Sequence, residues 1–143
     1  MTYTVDLVEG LAELMTAEAL GIYRPDAPYA PGETAIVLGV MPEEPERVIC
    51  LTAYPVEDTD TTDAITAIQC RFRAGHDPRA VDQLADRAFG LLHERRSYRL
   101  RGIYVALSWR QSQAWIGQDT HGRMELTSNF YFRTTRPGPF LNE

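Results

Sequence analysis

Three acid–imidazole neighbours stand out in this 143-residue chain: His76-Asp77, His93-Glu94, and Asp119 with His121. An imidazole beside a carboxylate suits general acid–base or hydrolytic chemistry when a nucleophile and oxyanion donors lie next to it. No G-x-S-x-G, H-E-x-x-H or phosphate-loop pattern accompanies any of the three. Each also has an architectural reading: Asp77 as a helix cap, His93 at a helix end, and Asp119 with His121 in a turn. A metal site would have to gather His76, His93 and His121 from three separate segments. Cys50 and Cys70 lie twenty positions apart without a neighbouring Cys or His. The expectation is no catalytic residue, no metal ligand and no cofactor, with both cysteines as buried free thiols.

Arginine offers the other chemistry. All fourteen cations are arginines, and Arg71, Arg73, Arg95, Arg96, Arg99, Arg101 and Arg110 are interleaved with Tyr98 and Tyr104. That pattern suits phosphate contact and base stacking, but it equally suits protein interfaces. A sequence pI near 5.1 argues against a dedicated nucleic-acid binder. Charge is also polarised along the chain. Residues 1–63 hold thirteen acids and two arginines; residues 64–143 hold seven acids and twelve arginines. Such a chain can present one acidic and one basic surface, unless the fold mixes the halves and cancels them.

The elements that must position these groups follow from periodicity. From Thr4, a stripe through Val5, Val8, Leu11 or Ala12, Met15 and Ala19 predicts a helix, early-turn acids suiting its dipole and Gly21 as its C-cap. The proline-rich run YRPDAPYAPGE, ending at Glu33, reads as an ordered loop. Thr34–Val40 and Arg47–Val56 read as a two-strand hairpin with an acidic connection, and Glu57–Asp63 as an exposed loop. Ala64–Ala74 alternates, with Arg71 and Arg73 on the side facing water or a partner. Asp77-Pro78 opens a second helix, with Val81, Leu84, Ala85, Ala88, Phe89, Leu91 and Leu92 as its stripe, running to about His93–Arg96. Three strand-like runs follow: YRLRGIYVALSWRQ, AWIGQ and RMELTSNFYFRTT. The last two are joined by a turn at Asp119–Gly122 where glycine supplies positive φ. Trp109 and Trp115 read as core, with Trp115 equally able to anchor a neighbouring subunit.

The order is helix, two strands, one strand, helix, three strands, without βαβ alternation. The predicted fold is α+β, one domain over 1–143, with two principal helices on a mostly antiparallel sheet of about five to six strands. Hydrophobic content of 44% and charged content of 24% mark a globular chain. No apolar run reaches the roughly 20 residues of a membrane span. The acidic start MTYTVDLVEG lacks a secretory n-region, so a soluble product made in a cytoplasm is expected.

Two long stretches, QCRFRAGHDPRAVDQLADRAFGLLH and SWRQSQAWIGQDTHGRMELTSNFYFRTTRP, resemble the phage minor capsid protein family, better described as tail terminators of long-tailed phages. The shared pattern is an arginine-bearing strand, a D-P-R helix start, a helix ending L-L-H, then G-x-D-x-x-G-R and an N-aromatic strand, over about residues 64–137. The resemblance implies helices on a mostly antiparallel sheet. It also implies a homo-oligomer, a hexameric ring at the head-proximal end of the tail tube. Such a ring stops tube polymerisation and joins the tail to the head connector, DNA passing through its lumen without specific binding. The virion tail, assembled in a host cytoplasm, would be its location, with no membrane partner. The alternative is a head–tail adaptor or other head-completion protein.

A ring needs one surface to meet a different surface on the next copy. On that reading Arg71, Arg73, Arg99, Arg101 and Arg110, with Trp115, Asp119 and Arg123, are expected at subunit or tube contacts. Glu43, Glu44, Glu46, Glu57, Asp58 and Asp60 are expected on an acidic loop or lumen surface, which would let DNA slide.

Overall fold

The computed structural model describes residues 2–142. Two helices lie on a seven-stranded sheet, an α+β fold. Helix α1 spans Tyr3–Ala17, then come β1 (Ile22–Tyr23), β2 (Thr34–Leu38), β3 (Arg47–Asp58) and β4 (Asp63–Ala74). Helix α2 (Pro78–Leu92) is followed by β5 (Arg95–Leu100), β6 (Ile103–Gln118) and β7 (Met124–Thr135). The sheet order is β1-β2-β3-β4-β7-β6-β5. Four of its six pairings are antiparallel, while β1–β2 and β2–β3 are parallel.

Helix α1 buries Leu7, Val8, Leu11, Ala12 and Met15, the three-and-four spacing of one apolar face. Helix α2 buries Val81, Leu84, Ala85, Ala88 and Leu92 against the same sheet face. Its start is as predicted: Pro78 occupies the first turn and the Asp77 side chain accepts from the Arg79 N–H. Under the helices, one ladder row aligns Ile36, Ile49, Phe72 and Leu126 across four strands. All four are fully buried, each contributing about 1.5–3 kcal/mol of burial.

The sheet curls so that α1 touches strands at both margins, β1 and β5. Gly10 permits the second contact. A Cβ there would lie 2.8 Å from Leu100 Cβ and 2.9 Å from its carbonyl carbon. Gly10→Ala is therefore expected to push α1 off β5 and lower stability by about 1–3 kcal/mol, although alanine is the better helix former. Urea unfolding checks this; an unchanged or raised midpoint contradicts it.

Several expectations need correction. The runs containing β2 and β3 are neighbours but not a hairpin: they pair in parallel, Thr34 opposite Arg47. The eight-residue connection 39–46 returns across the outer face, where Met41 packs with Tyr29 and Val37 on buried Ala35, Val48 and Cys50. Tyr23, read as loop, belongs to β1, which accounts for a seventh strand. The run YRLRGIYVALSWRQ is a turn and parts of two strands. Arg101 and Gly102 both take positive φ, 46° and 81°, closing a two-residue hairpin between β5 and β6. Strand β6 then continues unbroken through RQSQA to Gln118. At the end of α1, Ala19 rather than Gly21 takes the left-handed conformation, φ 60°.

Candidate functional site

The acid–imidazole neighbours resolve into architecture. Asp77 holds the α2 N-terminus, and His93 Nδ1 accepts from the Arg110 N–H at 3.1 Å while its ring stacks on Phe89. Asp119 Oδ1 accepts from the His121 and Arg123 N–H groups, both at 2.9 Å, and Gly122 supplies the positive φ, 75°. Burial works to raise the Asp119 carboxyl, but these bonds and the Arg123 guanidinium at 2.8 Å hold its pKa down at about 2. No group of three or more His, Cys, Asp or Glu among the described residues is placed to hold a metal ion. Cys50 and Cys70 are free and buried, and burial pushes both thiols upward, away from reactivity.

The arginines divide by what surrounds them. Arg73 was expected at an interface, but it is only 2% exposed and lies beneath the 39–46 connection. It donates from Nε to the Glu46 carbonyl at 3.1 Å, and from one terminal nitrogen to Glu43 and Pro45 carbonyls at 3.2 and 2.7 Å. Burial, then the charge of nearby Arg123, draws its pKa below the ordinary value. Arg123, 6% exposed, adds a 2.7 Å bond to the Glu43 carbonyl while gripping Asp119. These two side chains fasten the connection and the β6–β7 turn to each other. Arg71, half-exposed, meets buried Glu125 at 2.6 Å. A cleft between the connection and the turn is lined by six charged residues, Glu43, Arg71, Arg73, Asp119, Arg123 and Glu125, together with uncharged ones such as Val40, Met41 and Gln118. Its cations are already engaged within the chain, Arg71 by Glu125, Arg123 by Asp119 and Arg73 by backbone carbonyls.

Arg101 is also spent within the chain. It bridges the β5–β6 turn to α1, meeting Glu13 at 2.8 Å and Glu9 at 3.0 Å. Thus part of the charge polarity read from sequence cancels in the fold, through a basic residue of the second half and acids of the first. Arg99 lies over the Tyr104 ring and Arg110 over Phe89, neither within ion-pair distance of a carboxylate among the described residues. Trp115 is 51% exposed on β6, opposite Leu126. The acidic candidates do not share one surface. Glu43, Glu44 and Glu46 precede β3, while Glu57, Asp58 and Asp60 lie at its far end, roughly 35 Å away by strand rise.

Glu125 was missed in the sequence. In MELTSNF it alternates out of phase with buried Leu126, Ser128 and Phe130, which marks the opposite face. The signal that could have found it is the neighbouring arginine strand, since Arg73 stands opposite Glu125 in the β4–β7 ladder.

A family model described as bacteriophage tail terminator protein matches residues 14–136, the span from the last turn of α1 to just past β7. The chain belongs to this family. The match covers both halves of the sheet, including the β2–β3 crossover that the resemblance in residues 64–137 did not reach. No curated protein matches the chain. As a tail terminator family member it is a structural component of the phage virion tail. Among the described residues no helix is long and apolar enough to cross a membrane.

Proposed function

We propose that this tail terminator assembles as a closed ring, hexameric as in the resemblance, on the head-proximal end of the tail tube. There it stops tube polymerisation and offers its other face to the head connector. DNA passes through the lumen without being read. The observation that carries this reading is the family match over residues 14–136. What the fold adds is rigidity: Arg73 and Arg123 tie the connection 39–46 to the tip of the β6–β7 hairpin, so surface loops at one end of the sheet are held in a fixed shape.

Contacts with the tube or with other copies fall to the members of the arginine set that are accessible and not ion-paired among the described residues, Arg99 and Arg110, together with Trp115. Exposed Glu43, Glu44 and Glu46 stand on the fastened connection, where carboxylates facing a lumen would repel phosphate. The test is a mixing assay with purified tail tube protein. Adding the chain is expected to halt tube growth at substoichiometric amounts, and growth at the unaltered rate would overturn the reading.

A further inference from the structure

One ladder row of the outer sheet face ends in opposite charges. Glu57 stands opposite Ile65, Ile65 opposite Arg133, Arg133 opposite Leu107, and Leu107 opposite Arg96. Glu57 lies on an open margin. Strand β2 pairs with β3 only as far as Leu51, so Thr52–Asp58 have β4 on one side and no strand on the other. Arg96 lies on β5, the last strand at the opposite margin. Glu57, Asp58, Arg96 and Arg99 are all exposed. Among the described residues neither Glu57 nor Asp58 is within ion-pair distance of a cation, and the nearby Arg133 is engaged by Asp63 at 2.6 Å. Arg95 and Arg99 lie over tyrosine rings without a carboxylate partner, and Arg96 has only exposed Glu94 at 3.3 Å.

We propose that copies of this chain join through these two margins. Thr52–Asp58 of one copy faces β5 of the next, with Glu57 and Asp58 set against Arg96 and Arg99. This rests on the ring reading above and says which surfaces make the ring. The two margins carry different charges, so the contact is heterologous, the kind that generates a ring when its rotation closes. They share a ladder row, which places the opposite charges at the same register of the sheet. Neither margin suits continuation of the backbone ladder. Pro55 and the register shift before Glu57 interrupt β3, and Ser97 at φ 52° interrupts β5. The contact is therefore made by side chains. Exposed Tyr54 and Val56 on the acidic margin supply apolar area, while the charges select the neighbour and its height.

The experiment is sedimentation of the full chain over a concentration series at low salt. The unaltered chain is compared with E57R/D58R, with R96E/R99E, and with an equimolar mixture of the two. The unaltered chain is expected to associate, and association should weaken as salt rises. Each variant alone should associate about 100-fold more weakly, because like charges then meet. The mixture should recover association, because each altered margin now complements the other variant's. Recovery also shows that both variants are folded. Variants that associate as the unaltered chain does would overturn the margin contact while leaving the ring reading standing, as would an unaltered chain that still halts tube growth yet stays monomeric at every concentration. Failure to halt tube growth would sink the ring reading instead.

Discussion

Arg73→Met is expected to cost the fold about 3–5 kcal/mol, the largest loss from any single side chain on the outer face. The methionine fills much of the same volume but offers no donor. Three backbone carbonyls, those of Glu43, Pro45 and Glu46, would lose the guanidinium that now serves them inside the protein. Of those three carbonyls only that of Glu43 would keep a side-chain donor among the described residues, through its bond from Arg123. Urea unfolding followed by Trp109 and Trp115 fluorescence measures the loss, and hydrogen exchange should show the connection opening first. A cost below about 1 kcal/mol would mean that the connection is held by its apolar contacts and Arg123 without need of Arg73.

Glu125→Gln should cost somewhat less, about 2–4 kcal/mol. The exchange keeps the shape and removes only the charge of a carboxylate that is 2% exposed and lies 2.6 Å from Arg71. Arg71, Arg73 and Arg123 would then crowd one region with one balancing anion fewer. Because Arg71 is half-exposed, water partly screens the loss on its side. The pair makes a clean cycle: Arg71→Gln alone should cost less than Glu125→Gln, and the double variant less than the sum of the two. Strict additivity would show that Glu125 serves Arg73 and Arg123 through their charges rather than Arg71. These two predictions bear on any test of assembly. Faulty tails from an Arg73→Glu chain would report a broken loop, so exchanges meant to probe contacts belong on exposed residues.

What could be read from the sequence was what is decided locally. Asp77-Pro78 announces α2 because cap and first turn lie within three residues, and Asp119 with Gly122 announces the turn for the same reason. The two apolar helix faces and the arginine-bearing strand β4 were equally visible from spacing alone. The β2–β3 crossover was not. Two apolar runs with a short polar link look like a hairpin, and the side chains that fasten the crossover instead are distant in sequence: Arg73 lies 27 to 30 positions from the carbonyls it holds, and Arg123 lies 80 positions from Glu43. The β5–β6 turn was hidden because Arg101 stands where Asn or Asp usually signals a two-residue hairpin, and the alternation runs on across it.

The site divides along the same line. Composition showed that arginines outnumber acids in the second half, but not which ones would be consumed within the chain. Arg73 vanished under a loop that the sequence placed elsewhere. Arg101 was taken by α1, some 90 positions away, which only the curl of the sheet makes possible. Glu57 and Arg96 acquire meaning only together, because they share a ladder row that the strand order creates.

The proposed function requires this chain to close into a ring on a tail, and such a ring can be seen. Electron microscopy of particles carrying the chain, with averaging at the junction of head and tail, is expected to show a single ring of its copies at the head-proximal end of the tube. Copies spread along the tube, or one unpaired copy at the junction, would contradict the account.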